Sequence, residues 1–252
     1  MRELLEAVAD GSLSPAQAEA ELNGYVTGDA GRFDAAREQR RGVPEAILAE
    51  GKSIEQVIEL AETALETTDR ALLTRISPAQ FEALEASIDE TVPGATIDRR
   101  ETTVRVTMPD YEPPTVDATV GIATGGTVDG PVAAEVEAVC LDAGVTVDRV
   151  DDIGVAALSR TIDQIDRLRD ADVLIVAAGR EGALPTVVAG LVDTPVIGVP
   201  ISSGYGYGGD GHGALAGMLQ SCTVLSVVNI DAGFVAGAQA VLIARAIDAA
   251  RG

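Results

Sequence analysis

Tryptophan is absent from this 252-residue chain, aromatic residues make up 3% of it, and Lys52 is its only lysine. With so few aromatics, a core has to be assembled from Val, Ile, Leu and Ala, and the 46% hydrophobic content supplies enough of them. The chain holds one histidine, His212, and two cysteines, Cys140 and Cys222. A single histidine argues against a Ser–His–Asp triad and against a His-rich zinc site. Two cysteines make no disulfide framework, so the expected compartment is reduced and cytoplasmic. The longest apolar runs, such as ADVLIVAAG at 171–179, fall short of a bilayer's thickness. No basic stretch followed by an apolar one opens the chain, so neither a membrane span nor a signal peptide is expected.

Cations are scarce altogether: 18 Lys and Arg stand against 40 Asp and Glu, for a net charge of -22. Such a field repels phosphate backbones and anionic lipid, so neither nucleic acid nor membrane is an expected partner. An ordinary acidic protein carries more lysine than this. The pattern reads as adaptation to concentrated salt, in which carboxylates hold water and salt screens their mutual repulsion.

The chain has two regions of different grammar. Residues 1–115 read as a smaller α+β region. Ser14-Pro15, Ser53 and Ser77-Pro78 are helix-start signals ahead of helical spacing. ALLTR at 71–75 is a short strand candidate, and ATIDRR with TTVRVTM is a hairpin candidate. The proline-rich PDYEPPTVD reads as a linker. Residues 116–252 carry five apolar runs, ATVGIATG, VTVDRV, DVLIVAAG, PVIGVPIS and VLSVVNID, separated by helical stretches such as TIDQIDRLRDA at 161–171. Most of the runs do not alternate, as expected of strands buried on both faces of a parallel sheet. The expected fold is therefore α/β, a doubly wound parallel sheet of flavodoxin-like type.

That fold places ligands beyond the carboxyl ends of the strands. Those ends hold ATGGTVDG, AAGREGALP, PISSGYGYGGDGHG and NIDAGF. Gly125 and Gly126 with Thr127 and Asp129 open a helix, where free amides attract an anion; a plain tight turn with Asp129 as cap is the alternative. Gly at six of ten positions from Gly204 to Gly213 suits either a loose connector or a loop that orders on a ligand. Glu181 follows a strand end and is either a solvated carboxylate or a base in a cleft. Cys222 ends a helical stretch, where the helix dipole disfavours a thiolate. From the residues alone it is either a small buried hydrophobe or a nucleophile.

Taken in order, these segments resemble a known family. Arg40-Arg41-Gly42-Val43-Pro44-Glu45, Gly51-Lys52, Thr74-Arg75, Thr127-Val128-Asp129, Glu181-Gly182-Ala183-Leu184-Pro185, Gly204-Tyr205-Gly206, Met218 to Cys222 and Asn229-Ile230-Asp231 follow the order seen in LarB. LarB is the carboxylase/hydrolase of nickel-pincer cofactor biosynthesis, and its C-terminal domain is similar to PurE, the aminoimidazole ribonucleotide carboxylase/mutase. The resemblance spans nearly the whole chain. PurE enzymes carry a histidine before Leu-Pro, where this chain has Ala183. Cys222 falls where LarB has its reactive cysteine. A purine-pathway carboxylase is therefore the weaker alternative, and a non-catalytic nucleotide-binding protein is another.

The resemblance implies a substrate, nicotinic acid adenine dinucleotide, carboxylated at ring C5 by CO2 or bicarbonate with hydrolysis of the phosphoanhydride. The expected products are AMP and pyridinium-3,5-biscarboxylic acid mononucleotide. Cys222 is then the nucleophile and Glu181 the base. The expected substrate contacts are Thr124, Gly125, Gly126, Thr127, Asp129, Ser202, Gly204, Tyr205, Gly206, Asn229 and Asp231. Arg75, with Arg37, Arg40 and Arg41, is expected to neutralise the diphosphate. Mg2+ is expected to assist hydrolysis, without a tightly bound organic cofactor, and a homo-oligomer is expected. The chain departs from the family at Val128, at Ala232 and in a shorter turn after Cys222.

Overall fold

The structure is a computed structural model that describes residues 2–203 and 206–252. The chain divides into two units, 1–112 and 113–252, and the break falls inside the proline-rich segment.

The first unit begins with α1 (Arg2–Asp10) and α2 (Pro15–Asn23), followed by a hairpin of β1 (Val26–Gly28) and β2 (Gly31–Phe33). Then come α3 (Arg37–Arg41), β3 (Ile47–Leu48), α4 (Ile54–Thr68), β4 (Arg70–Thr74), α5 (Pro78–Thr91), β5 (Thr96–Arg100) and β6 (Thr103–Thr107). Ser14, Ser53 and Ser77 each accept from the amide of the Gln three residues on, and each Gln side chain answers with a bond to the cap amide. These reciprocal caps explain why α2, α4 and α5 start where the sequence marks them. The sheet runs β3-β4-β6-β5, and the expected hairpin is β5–β6. Its core is aliphatic, with Val57, Leu65, Leu73, Leu84, Ile88 and Val104 among the buried residues. The short elements α1, β1, β2 and β3 carry no clear sequence signal and are additions to the expected map.

The second unit is built from β7 (Val116–Thr124), α6 (Gly130–Asp142), β8 (Val145–Val150), α7 (Leu158–Ile162), α8 (Ile165–Arg169) and β9 (Val173–Ala178). It continues with α9 (Ala183–Ala189), β10 (Val196–Pro200), α10 (His212–Leu219), β11 (Ser226–Val227) and α11 (Gly233–Arg251). The five strands form one parallel sheet in the order β11-β10-β9-β7-β8. All six residues of β9 and all five of β10 are buried, which accounts for their unbroken apolar sequence.

Two expectations need correction. The stretch 161–171 is not one helix but part of α7 and all of α8, with a turn between them. The run VLSVVNID is not a fully buried strand: only Ser226 and Val227 pair with β10, at the sheet edge, and Val224 is 93% exposed. One helix, α11, is long and apolar enough to cross a membrane by length and composition. Here it lies against α6 and β7 through Ala236, Gly237, Ala240 and Ala244.

Candidate functional site

The order β11-β10-β9-β7-β8 reverses direction between β7 and β9. In open parallel sheets the loops leaving the strands on either side of such a point diverge and leave a crevice. Here the loop after β7 carries Gly125 to Asp129, and the loop after β9 carries Gly179 to Gly182. Between them lies a cavity of about 510 Å3, lined by Gly125, Gly126, Val128, Asp129, Gly154, Val155, Ala178, Gly179, Arg180, Glu181, Ala183, Leu184 and Ser203 among others. That size is within the usual range for a small-molecule site.

Glycine is needed where these loops meet. A Cβ on Gly154 would stand 2.4 Å from the Gly125 carbonyl oxygen, so the β8–α7 connection closes against the β7 loop only because Gly154 is bare. Thr124 is wholly buried; its hydroxyl donates to Asp151 at 3.0 Å and accepts from the Asp152 amide at 3.0 Å. It pins the β8 loop in place and shows no hydroxyl to the cavity. Thr127 is exposed, beside Val128 at the cavity rim. Asp129 is 2% exposed, and its Oδ2 accepts from the Gly126 amide at 2.9 Å. Burial pushes its carboxyl above the ordinary carboxylate range, the Gly126 and Gly125 amides pull it down, and Asp151 and Asp231 push it up.

On the other side, Asp231 accepts from the Ser202 amide at 2.8 Å and donates its own amide to the Pro200 carbonyl at 2.9 Å. Ser202 and Asp231 therefore fasten the β10 end to the β11 end. Asn229 is exposed, with its side-chain oxygen taken by the Ile230 amide. Gly206 lines a second cavity, of about 410 Å3, together with Arg180, Glu181, Ile201, Tyr207, Gly208, Gly211 and Gly213. Gly204 and Tyr205 lie outside the described residues. His212 begins α10, is exposed, and is not among the residues lining either cavity.

Arg75, Arg37 and Arg40 belong to the first unit. There Arg75 faces Glu50 at 3.4 Å, Arg37 pairs with Glu45 at 2.9 Å, and Arg40 with Asp34 at 2.6 Å. Arg75 holds a left-handed backbone with φ of 54°, which marks a constrained position. A third cavity, lined by Arg149, Arg160 and Arg167, is less suited to an anion. Its arginines are already paired with Asp151 and Glu137, with Asp152 and with Asp148 respectively.

The two cysteines differ sharply. Cys140 is fully buried, and burial pushes its thiol up to about 12, so it is inert filler. Cys222 is exposed. Cys222 follows the carboxyl end of α10 and precedes the amino end of β11, and the next residue, Thr223, sits beside Gly190 at the close of α9. Cys222 is not among the residues lining either cavity at the carboxyl edge. Leu219 and Val224 flank it, 66% and 93% exposed.

Sequence reasoning missed Arg180. It lines both cavities and stands next to Glu181. The available signal was its place, directly after Gly179 at a strand end.

Both units match known families. The AIR carboxylase family matches residues 119–251, and the LarB/PurE-like N-terminal domain matches residues 25–106. The chain is 37% identical over 257 residues to uncharacterized protein MJ0165 of Methanocaldococcus jannaschii, covering 97% of each. Among solved structures, a single-substitution variant of PurE2 from Treponema denticola aligns over 53% of this chain and 94% of its own, with a TM-score of 0.38 at 14% identity. The second unit defines a protein of the AIR carboxylase class. With its N-terminal domain, the chain belongs to the LarB family.

Proposed function

We propose that this chain carboxylates the pyridinium ring of nicotinic acid adenine dinucleotide at C5 and hydrolyses the phosphoanhydride. The products are AMP and pyridinium-3,5-biscarboxylic acid mononucleotide. The observation that carries this reading is the switch-point cavity with Asp129 and Glu181 in its wall and Ala183 where the PurE acid/base histidine would stand. Two carboxylates suit a cationic ring better than a neutral or anionic one. Without an imidazole in the cavity, the ring has to be activated another way.

A pyridinium is electron-poor and does not attack CO2. Addition of a thiolate to a ring carbon converts it to an enamine, and C5 becomes the nucleophile. C5 then bonds to the carbon of CO2, whose C–O π pair moves to oxygen. Glu181 removes the C5 proton, the ring regains its aromatic electrons, and the Cys222 thiolate leaves. Water attack on the phosphoanhydride releases AMP.

Cys222 is not among the residues lining the carboxyl-edge cavities of its own chain, so in this reading a second copy supplies the thiol. In a homo-oligomer the α10–β11 connection of one copy covers the switch-point cavity of another. The exposed Leu219 and Val224 beside Cys222, and Val128, 66% exposed at the cavity rim, are the apolar surfaces such a contact would bury. For Mg2+, the donor set does not fit a resident site: among the described residues no three His, Cys, Asp or Glu side chains are grouped to hold an ion.

The test is incubation with nicotinic acid adenine dinucleotide and isotopically labelled bicarbonate, followed by mass spectrometry. Labelled mononucleotide plus AMP supports the reading. AMP without label leaves a hydrolase. Dinucleotide binding without either product leaves a binding protein.

A further inference from the structure

The two carboxyl-edge cavities share a wall. Arg180 and Glu181 line both the switch-point cavity of about 510 Å3 and the cavity of about 410 Å3 under the glycine-rich segment. Among the described residues lining them, Arg180 is the only cation. Its backbone has φ of 55°, a left-handed conformation that residues with side chains rarely adopt. The surroundings hold it there. A Cβ on Gly179 would lie 2.7 Å from the Ser203 carbonyl oxygen, one on Gly182 2.5 Å from that of Ala214, and one on Gly213 2.9 Å from that of Arg180 itself. Three bare positions let the chain close around one arginine and fix where it starts.

The cavities differ in chemistry. The switch-point side carries Asp129, and the other carries the exposed ring of Tyr207 over a floor of glycines. A buried carboxylate suits a cationic ring. A tyrosine face beside backbone suits a flat, uncharged purine. We propose that the two cavities hold the two nucleoside halves of one dinucleotide, with Arg180 clamping the diphosphate at their shared wall. This rests on the dinucleotide reading above and assigns its two ends. The clamp is needed because a chain of net charge -22 otherwise repels a diphosphate, and a guanidinium meets phosphate oxygens in pairs.

The test is calorimetric binding of ADP and of adenosine to the full chain, in wild type, Arg180→Gln, Arg180→Lys and Tyr207→Ala. Wild type binds ADP roughly 10- to 100-fold tighter than adenosine, as a charge-assisted phosphate contact implies. Arg180→Gln brings the two affinities together by lowering that of ADP alone, and Arg180→Lys keeps most of the preference. Tyr207→Ala weakens both ligands by the same factor. An unchanged preference in Arg180→Gln overturns the clamp, as does equal weakening of both ligands. Undiminished adenosine affinity in Tyr207→Ala overturns the purine subsite. If carboxylation fails while these selectivities hold, the proposed reaction falls and this assignment stands.

Discussion

The carbonyl oxygen of Glu181 lies so close to Gly217 that a Cβ built on that glycine would stand 2.1 Å away. No side chain fits there, and the oxygen is backbone, which cannot swing aside. Gly217 of α10 thus sets the position of the β9 loop, and with it Glu181 and Arg180. Gly217→Ala is expected to push this loop outward, destabilising the unit by roughly 1–3 kcal/mol. Carboxylation falls further than the loss of folded protein explains. Thermal melts beside activity per folded molecule check this; a normal melting point with normal activity contradicts it.

The proposal that two chains share one site gives a sharper prediction. Cys222→Ser and Glu181→Gln are each expected to abolish carboxylation. Unfolded and refolded together in equal amounts, they recover about a quarter of wild-type activity, because one site in four combines an intact glutamate with a neighbour's intact cysteine. Recovery requires two chains per site. If every mixture stays inactive while each variant still assembles, the thiol acts within its own chain.

Asp129 supplies a pH test. Its carboxyl lies above the ordinary value of 3.8 chiefly because it is buried. A raised carboxyl binds its proton more tightly in the folded state. The stability it lends is complete below the unfolded value and is lost as pH rises through the folded value. Asp129→Asn removes the buried charge, while the amide oxygen still accepts from Gly126. The variant should melt above wild type at neutral pH, and the gap should close as the pH falls through the carboxylate range. Its hold on the cationic ring should weaken. A gap that does not change with pH contradicts the assignment.

Much of this architecture was legible. The unbroken apolar runs at β9 and β10 followed from burial on both faces, and Ser14, Ser53 and Ser77 marked three helix starts. Other features were not legible because they depend on neighbours. β11 has strand composition but lies at an edge, where only Ser226 and Val227 find a partner. Thr124 looked like a ligand contact from its place beside Gly125, yet its hydroxyl is turned to Asp151 and Asp152. Arg180 was marked only by its place after Gly179; its position depends in part on Gly213, far along the chain.

Charge makes a prediction about the medium. With 40 acidic against 18 basic residues, self-repulsion opposes the folded state until salt screens it. Melting points recorded from low to molar KCl are expected to rise throughout the series. A flat or falling series would mean that the acidic surface is not a salt adaptation.

The proposed activation of a pyridinium by Cys222 is read by mass spectrometry of the products from nicotinic acid adenine dinucleotide and bicarbonate in concentrated KCl, wild type beside Cys222→Ser. Wild type should yield a mononucleotide heavier by one carboxyl group. Cys222→Ser should yield none, while its affinity for the dinucleotide is retained. The carboxylated product from Cys222→Ser at a rate near that of wild type would contradict it.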